Sequence, residues 1–472
     1  MLVTKPTIAV IGSGAAGLSA ALAAAEASAS TCRVVLIERA QEGEHGGNSR
    51  WSPAYMRMAS PDRVAPGFEE DVQAAAGGRA DRAYFRRLAQ DAPDTIAWLI
   101  RHGVGFHKPV YYLSTGPPRI QPVGGGTAVL RELERAALQA GVATHYGCRA
   151  QRLLIDGDGA VAGVQVRATT GASETIEAQA VVLAAGGFAG NPDMLAQHLG
   201  PGAERLRLLA PGTAFNTGDG IRMALEAGAR SDGDWSGMHA EPVDARSRNA
   251  APVVLVYPYG IVVDRTGRRF FDEGAGLVHE TWETFARALH FVAPGRIVFA
   301  ILDAKLRQIA GYERAIRSEV ACHEAASIGE LASMLGLPAT ELQATVAHYN
   351  AAALGNPAMF DPTRTDGLAA TAGLSPPKSN WCRPLDQPPY LAYPLVGAIA
   401  YTFGGVATDA EARVLRDGGP FPGLFAAGEI TGHFHGLAPN AVAMLRALVF
   451  GRIAGRNAVA AARHATARRP AQ

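Results

Sequence analysis

Cysteine is scarce in this 472-residue chain. Cys32, Cys148, Cys322 and Cys382 lie far apart, and no CxxC, CxxCH or iron–sulfur spacing occurs. The chain is therefore not expected to bind a haem or an iron–sulfur cluster with ligands of its own. Scattered single cysteines are typical of a reducing compartment, so the sequence predicts a cytoplasmic protein.

Lysine, excess charge and long apolar runs are also scarce. Lysine occurs at positions 5, 108, 305 and 378, arginine supplies the other basic residues, and the formal net charge is +1. A chain so close to neutrality is not expected to have nucleic acid as its main partner. Glycine, proline or a charged residue interrupts the apolar runs before they reach a membrane-spanning length, so we expect no membrane span. A strand pattern begins by Ile8, which leaves no room for a signal peptide, and none is expected.

The length and composition indicate a globular protein of more than one domain. At 472 residues the chain exceeds one compact core, and its length predicts about two or three domains. Charged residues make up 18% of the chain and hydrophobic residues 48%, a balance that favours a folded chain over a disordered one.

Strand and helix patterns alternate from the N-terminus onwards. Residues 7–11 form an apolar run typical of a buried parallel strand, residues 15–29 are rich in alanine and predict a helix, and residues 33–37 predict a second buried strand. This order is the pattern of a βαβ unit. Residues 150–166 then read as strand, turn and strand, and residues 181–185 predict another buried strand.

The motif Gly-Ser-Gly-Ala-Ala-Gly lies between the first strand and the first helix. In a dinucleotide site Gly12 permits the tight turn, Gly14 lets the backbone approach a pyrophosphate, and Gly17 lets helix and strand pack closely. The N–H groups at the start of the helix favour the phosphates. Glu38 ends the second strand, where a carboxylate accepts hydrogen bonds from the adenosine ribose. The motif predicts a dinucleotide site and leaves FAD and NAD open, because Glu38 argues only against NADP.

Further segments follow in order along the chain. They are Gly-Gly-Asn-Ser at 46–49, Ala-Ala-Gly-Gly-Phe at 184–188 with Thr-Gly-Asp-Gly at 217–220, and Gly-Leu-Phe-Ala-Ala-Gly-Glu-Ile-Thr-Gly at 423–432. Together with the first motif they span nearly the whole chain, and the combination resembles the fumarate reductase/succinate dehydrogenase flavoprotein family. The resemblance implies an α/β fold: a Rossmann-like FAD-binding domain with an inserted α+β capping domain that closes over the substrate.

The change of character between about 239 and 391 fits the capping domain. Prolines at 376, 377, 384, 388 and 389 mark the exit from this region. We therefore expect residues 1–238 and 392–472 to form the FAD-binding domain, and residues 239–391 to form the capping domain that holds substrate.

Within this family the chain most resembles the FAD-dependent tricarballylate dehydrogenases. The strings that carry this resemblance are Asn-Ser-Arg at 48–50, Gly-Asp-Trp-Ser-Gly at 233–237, Arg-Phe-Phe-Asp-Glu-Gly at 269–274, Tyr-Thr-Phe-Gly-Gly at 401–405 and His-Gly-Leu-Ala-Pro-Asn-Ala-Val-Ala-Met-Leu-Arg at 435–446. The resemblance implies oxidation of a C–C bond of a small polycarboxylate by hydride transfer to N5 of FAD. The alternatives are a dehydrogenase or reductase of another activated alkene or ketone, such as a 3-ketosteroid, and a non-redox or accessory flavoprotein.

The family's cofactor contacts carry over where the residues match. They imply that FAD is bound by Gly12, Gly14, Ala16, Gly17, Glu38, Arg39, Gly47, Asn48, Ser49, Ala185, Gly186, Asp219, Gly428, Glu429, Asn440, Ala441, Val442 and Leu445. Glu429 takes the place of the acid that binds the ribityl chain. Residues 440–442 are expected to open the last helix and to direct N–H groups at the N1/C2=O edge of the flavin, because reduced flavin carries negative charge near N1.

Departures from the family pattern are equally informative. Asn48 stands where the succinate dehydrogenases attach flavin to a histidine, so we expect non-covalent FAD, with His45 as the alternative linking residue. The proton-donating arginine of the fumarate reductases falls near Leu277, their later substrate-binding arginine is replaced by residues 437–439, and their histidine before Thr-x-Gly-Gly is Tyr401. Fumarate and succinate are therefore not the expected substrates.

Oxidation of a C–C bond beside a carboxylate needs a hydride acceptor, a base, and groups that hold the carboxylates. The candidate catalytic residues are His239, Glu273, Tyr401, Thr402, His435 and Arg446, with Arg50 and His433 as further polar groups. Each has a structural alternative, which for Glu273 is a salt bridge between the two domains and for Tyr401 a packed aromatic ring. The general base stays open between Tyr401 and Glu273, and no metal site is predicted.

The sequence contains one dinucleotide motif and no second one for NAD(P)H. Electrons are therefore expected to leave through a separate acceptor: a quinone, a partner protein or oxygen. The family resemblance implies a membrane iron–sulfur or cytochrome protein, which would bring this chain to the inner face of a membrane. The exact substrate, the direction of the reaction and the oligomeric state do not follow from the sequence.

Overall fold

The computed structural model describes residues 5–110, 113, 116–370 and 373–468. The predicted outer segments extend at their ends to residues 1–4 and 469–472, which lie outside the described residues. Within the described chain a six-stranded sheet has the order Arg413–Arg416, Gly419–Ala426, Ala180–Leu183, Thr7–Ile11, Arg33–Ile37, Ala143–His145. All neighbouring pairs are parallel except the first pair. The C-terminal strand Gly419–Ala426 therefore joins the strands of the N-terminal half at Ala180–Leu183.

The predicted βαβ unit is present, with its helix at Ala15–Ser28. A Cβ atom on Gly17 would lie 1.7 Å from the carbonyl oxygen of Gly12, so only glycine permits this approach of helix and loop. The same helix packs along the C-terminal helix Ala443–Arg468. A Cβ on Gly455 would lie 2.1 Å from the Ala20 carbonyl oxygen, so the two helices cross almost backbone to backbone.

A three-stranded antiparallel sheet follows the strand order Ser173–Glu177, Val161–Ala168, Cys148–Ile155, in agreement with the predicted strand–turn–strand pattern. Short strand pairs join Met58–Ser60 to Arg63–Val64, Phe106–His107 to Gln121–Pro122, and Ser231–Asp232 to Gly405–Val406. The remaining α-helices are Gly47–Trp51, Phe68–Ala75, Arg82–Arg101, Gly125–Gln139, Pro192–Leu199, Asp219–Glu226, Val278–Phe291, Ile328–Leu335 and Ala339–Ala352.

A second sheet belongs mainly to the predicted capping segment. Its path is Arg207–Leu208, Tyr390–Thr402, Val298–Leu302, Ile261–Val263, and Met238–Asp244 and His323–Ala325 also pair with Tyr390–Thr402. Successive side chains of a strand point to opposite faces of the sheet. Val262 therefore packs under the helix Val278–Phe291, and Ile261 packs on the other face under Ile328–Leu335 and Ala339–Ala352. The central strand Tyr390–Thr402 runs through the predicted boundary at 391, so one continuous strand joins the two predicted segments.

Residues 63–101 contain the hairpin strand Arg63–Val64 and the helices Phe68–Ala75 and Arg82–Arg101. The Asp81 carboxylate caps the second of these by accepting from the N–H groups of residues 83 and 84, which sets its first residue. The last helix begins at Ala443, so residues 440–442 form the turn before it instead of its first turn.

None of the helices in the described ranges is both long enough and apolar enough to cross a bilayer.

Candidate active site

A cleft of about 810 Å³ lies at the carboxyl ends of the parallel strands. Thirteen of the predicted FAD-binding residues line it: Gly12, Gly14, Ala16, Glu38, Arg39, Gly47, Asn48, Ser49, Ala185, Gly186, Asp219, Gly428 and Glu429. Crevices at this edge of a parallel sheet are where nucleotides bind in open α/β folds. The structure thus brings residues from six separate stretches of sequence to one site.

The glycine loop leaves open space at the start of the first helix. A Cβ on Gly14 would lie 3.4 Å from Ser49 Oγ and 3.7 Å from the Gly46 carbonyl oxygen, which are ordinary contacts, so a larger side chain would project into the cleft. The Ala15 N–H donates to Ser49 Oγ at 3.1 Å, which joins the two glycine-rich segments. This cradle of backbone N–H groups fits the pyrophosphate of FAD.

Glu38 both lines the cleft and holds the glycine loop. Its Oε2 accepts from the N–H and the hydroxyl of Ser13 at 2.8 and 2.6 Å, and its Oε1 accepts from the Ala40 N–H at 2.7 Å. These hydrogen bonds fix the orientation of the carboxylate, which would accept from the ribose hydroxyls of a bound FAD.

Arg149, which the sequence reasoning missed, completes this end of the cleft. Arg149 donates to both carboxylate oxygens of Asp219, at 2.8 and 2.7 Å, and Arg39 contacts Thr217 and Asp219. Burial would raise the pKa of Asp219, but the hydrogen bonds and charge of Arg149 hold it below its usual value. Arg149 belongs to no recognisable sequence motif. The register of its strand brings it to the cleft, so the sequence alone did not reveal it.

Glu429 also lines the cleft, where it is half-buried. Its carboxylate accepts from the Thr402 N–H at 3.1 Å and from the Asn216 side-chain amide at 2.8 Å. Burial raises the pKa of Glu429 to about 7, in spite of the hydrogen bonds that oppose the shift. Thr402 is therefore part of the scaffold behind the cleft, and its hydroxyl accepts from the Phe188 N–H at 3.2 Å.

A second cavity of about 1100 Å³ adjoins the first, and Asn48 lines both. It lies between the FAD-binding cleft, the start of the last helix and the capping segment. Of the predicted residues, His239, Tyr401, Asn440 and Ala441 line it, whereas Val442 faces a neighbouring groove. The Asn48 amide donates to the Ala400 carbonyl oxygen, and its Oδ1 accepts from the Thr213 hydroxyl at 2.6 Å, so the side chain at the junction is fixed.

His239 is held between two glutamates. Its Nδ1 lies 2.6 Å from Glu283 Oε2, its Nε2 lies 3.4 Å from Glu241 Oε1, and its ring stacks on Tyr401 with 4.8 Å between ring centroids. Burial alone would lower the pKa of His239, but the hydrogen bonds and negative charges of Glu241 and Glu283 raise it to about 10. His239 is therefore an imidazolium cation at neutral pH.

Two arginines that the sequence reasoning did not single out also line this cavity. The guanidinium carbon of Arg119 lies 3.9 Å from the centre of the Tyr55 ring, and Arg317 Nη2 donates to the Tyr55 hydroxyl at 3.3 Å. Arg119 is 4% exposed. Arg119 and Arg317 lie far apart in the sequence. No local sequence pattern therefore indicates that they meet at one cavity.

The structure places Glu273, one of the two candidate bases, outside both cavities. It is 1% exposed and lies within the capping segment, where it accepts from the Val262 N–H at 2.7 Å and from Arg269 Nη2 at 2.6 Å. The Lys378 amine lies 3.7 Å from the same carboxylate. Glu273 lines neither cavity, because its carboxylate is used by this buried ion cluster.

Other predicted polar residues also lie outside the two cavities. Arg446 is 1% exposed and stacks over Phe434, with 3.9 Å between guanidinium carbon and ring centre. His433 stacks on Tyr84 at 3.5 Å, and burial lowers its pKa well below the usual value. His435 is half-buried and lines neither cavity.

The remaining predicted residues support the loops or the core. Arg50 donates to carbonyl oxygens of Gly43 and His45, and His45 itself pairs with Glu134 at 3.2 Å. Of the predicted cofactor set, Gly17 and Leu445 are buried in packing contacts and line neither cavity. Within the described ranges, no group of three or more His, Cys, Asp or Glu side chains is placed to hold a metal ion.

Comparison with known proteins agrees with this geometry. The family model described as the FAD binding domain matches residues 7–443. A probable fumarate reductase of Shewanella frigidimarina is 30% identical over 477 residues, which cover 97% of this chain and 74% of that protein. The 4-oxocyclohexanecarboxylate 2-dehydrogenase of Sinomonas cyclohexanicum is 32% identical over 360 residues, which cover 71% of this chain and 61% of that protein.

A solved structure gives the same result for the fold. The open conformation of a flavocytochrome c3 fumarate reductase matches with a TM-score of 0.79 at 29% identity, covering 97% of this chain and 78% of that one. None of these three proteins is named a tricarballylate dehydrogenase. With the cleft and its glycine cradle, the matches lead to one conclusion: the chain belongs to the FAD binding domain family of fumarate reductase/succinate dehydrogenase flavoproteins, and it is an FAD-dependent oxidoreductase acting on CH–CH groups.

Proposed function

We propose that the protein is a dehydrogenase that oxidises a C–C bond of a small polycarboxylate, with tricarballylate to cis-aconitate as the leading example. The observation that carries this proposal is the charge of the second cavity. Arg119, Arg317 and His239 line it, and Glu241 is the carboxylate among its described lining residues. A substrate carboxylate that leaves water must meet cations or several donors, because an unpaired buried charge is costly.

The arrangement around Tyr55 supports a substrate with more than one carboxylate. Arg119 comes from the first predicted segment and Arg317 from the capping segment, and both contact Tyr55. A guanidinium can bind a carboxylate through two parallel hydrogen bonds. One carboxylate can therefore bind near Tyr55, while a second meets the imidazolium of His239.

When bound, FAD accepts a hydride from the substrate carbon. The chain's own groups bind the substrate and hold its carboxylates in a fixed orientation. Burial and the negative charge of Glu283 raise the pKa of Tyr401 well above its usual value, so the Tyr401 side chain stays a neutral phenol that can donate a hydrogen bond.

We infer that FAD is held without a covalent link, since Asn48 is the residue at the junction of the two cavities and His45 pairs with Glu134 instead. Residues 239–391 are proposed to act as the cap that closes over the substrate and excludes water. A separate electron acceptor, such as a quinone or a membrane iron–sulfur or cytochrome protein, would reoxidise the flavin. The proposed location is cytoplasmic, with docking at the inner membrane face as the alternative.

A second candidate substrate is a cyclic ketone, as in the activated-ketone alternative. The observation in its favour is the apolar part of the same cavity, which includes Trp51, Leu209, Val253, Leu255 and Trp282. The Sinomonas relative is named for a substrate that carries both a ketone and a carboxylate. Such a ring could use the apolar wall and one cation together.

Anaerobic bleaching of the flavin spectrum separates these possibilities. Tricarballylate, 4-oxocyclohexanecarboxylate and an uncharged cyclohexanone are added in turn to the oxidised holoenzyme, with the amide of tricarballylate as a charge-free control. The proposal expects bleaching by tricarballylate and none by its triamide. Bleaching by the ring compounds alone would favour the second candidate, and absence of bleaching by all of them would contradict both.

A further inference from the structure

The reaction proposed above releases a proton as well as a hydride, and the proton needs an acceptor that faces the substrate. The two candidates from the sequence do not meet this need. The Tyr401 phenol keeps its proton because burial raises its pKa, and Glu273 is enclosed in the capping segment by Arg269 and Lys378. The acceptor must therefore be sought among the other groups of the second cavity.

Glu241 lies on the cavity wall next to His239. Both residues belong to the strand Met238–Asp244 and are two positions apart, so their side chains point to the same face of the sheet. The side chain of Glu241 is 20% exposed, which leaves it accessible from the cavity. Its Oε1 lies 3.4 Å from His239 Nε2.

We propose that Glu241 is the general base of the dehydrogenation, an inference that rests on the proposed function. As the C–H bond beside a substrate carboxylate breaks, its proton forms an O–H bond with the Glu241 carboxylate. The electron pair left on that carbon forms the C=C bond, and the hydride of the neighbouring carbon passes to FAD. The proton later leaves Glu241 for water, so atoms and electrons balance.

Glu283 has a different part in this arrangement and is a positioning residue. Its Oε2 lies 2.6 Å from His239 Nδ1, which orients the imidazole so that Nε2 faces Glu241. Glu283 itself lines the neighbouring groove and not the second cavity, so it has no direct path to substrate. The cation that it maintains on His239 also attracts a carboxylate of the substrate, which favours binding.

His279 also lines this cavity and is a second possible proton acceptor, but its pKa makes it less suitable. Burial, followed by the positive charges of Arg119 and Arg57, lowers the pKa of His279 to about 4. An imidazole with so low a pKa is a weak proton acceptor at neutral pH. Among the described residues that line the cavity, Glu241 is therefore the group best suited to take the proton.

The test is the rate of anaerobic flavin reduction in the holoenzyme, followed by stopped-flow absorbance over a range of tricarballylate concentrations. This measurement separates the limiting rate constant from the substrate Kd. We expect Glu241→Gln to lower the rate constant by at least about 10²-fold, within the range that a general base contributes, with a change in Kd below about threefold. Glu241→Asp should keep part of the rate, and Glu341→Gln, which removes a surface carboxylate paired with Arg268, should match the wild type.

The Glu283→Gln variant tests the positioning role of Glu283, because a purely structural role would not change Kd separately from the rate constant. We expect it to retain the base and therefore most of the rate at saturation, but to raise Kd, because the charge on His239 is less well maintained. A Glu241→Gln enzyme that reduces flavin at the wild-type rate overturns the proposal. So does a variant in which only Kd rises, since Glu241 would then bind substrate without taking its proton.

Failure of the proposed function gives a different result. The wild type would then resist reduction by tricarballylate and be reduced by 4-oxocyclohexanecarboxylate, and the same Glu241→Gln comparison would be made with that substrate. A base is needed for either substrate, so a normal rate in the variant contradicts the role of Glu241 in both cases.

Discussion

His239 Nδ1 lies 2.6 Å from Glu283 Oε2 in the wall of the second cavity. The contact joins the strand Met238–Asp244 to the helix Val278–Phe291, and it leaves a cation at the cavity surface. Because the ring also stacks on Tyr401, the cation is fixed in direction as well as in charge. Substrate binding should therefore depend on this one side chain more than on the surface charges around the cavity.

Replacement of His239 should impair catalysis without loss of FAD. Loss of one member of a buried charge pair removes roughly 2–5 kcal/mol of stabilisation. We expect His239→Ala to lower kcat/KM for a tricarboxylate by at least about 10²-fold. Steady-state kinetics with an artificial electron acceptor measure this effect, so that a missing partner cannot mask activity. An unaffected enzyme would favour the apolar-substrate alternative.

The raised pKa of His239 makes a prediction for stability against pH. The pKa is raised from 6.5 to about 10 in the folded state. The stabilisation is therefore complete below about pH 6.5, declines as the pH rises, and is lost above about pH 10. We expect the difference in Tm between the wild type and His239→Gln to shrink from pH 6 to pH 10.5. A difference that grows with pH would mean that His239 is neutral in the folded protein.

Gly14→Val should empty the FAD site while the chain still folds. The added Cβ meets Ser49 Oγ at 3.4 Å, an ordinary contact, and the rest of the side chain occupies the space that the pyrophosphate needs. Flavin content per chain measures the effect, with Ala27→Val on the exposed face of the same helix as control. Stoichiometric FAD in Gly14→Val would show that the phosphates bind elsewhere.

Acid precipitation should release the flavin. Asn48 cannot form the covalent link that a histidine makes at the aligned position, and His45 does not line the cleft. We expect the FAD to appear in the supernatant after precipitation, and the pellet to be colourless. Flavin that stays with the precipitated polypeptide would contradict non-covalent binding.

Glu273→Gln should destabilise the fold and leave the chemistry intact. Removal of this charge leaves Arg269 and Lys378 without their buried counterion, which typically costs about 3–5 kcal/mol. We expect a lower Tm and an unchanged rate of flavin reduction in the fraction that is folded. The reverse result, a normal Tm with lost activity, would restore Glu273 as the base.

The linear sequence was sufficient for the FAD-binding part of the molecule. The glycine spacing after a buried strand indicates positions where two backbone segments come too close for any side chain. The contact between Gly12 and Gly17 is one of these positions. These constraints are local, so Gly14, Glu38, Asn48 and the other cleft residues could be read from short motifs. The predictions of a helix from residue 15 onwards and of a strand–turn–strand pattern at 150–166 were likewise correct. The composition and spacing of apolar residues in these segments follow from which side chains are buried.

The substrate cavity depended on the three-dimensional fold. No sequence motif contains Arg119, Arg317 or Glu241. They line one cavity because the fold brings distant segments together and the strand register sets the direction of their side chains. Glu273 and Arg446 lie in strings that resemble an active site, and His433 lies beside one. The folded chain turns the polar groups of all three towards buried partners. Local spacing predicts where the backbone turns, whereas the direction of a charged side chain is decided by the partners that the folded chain places around it.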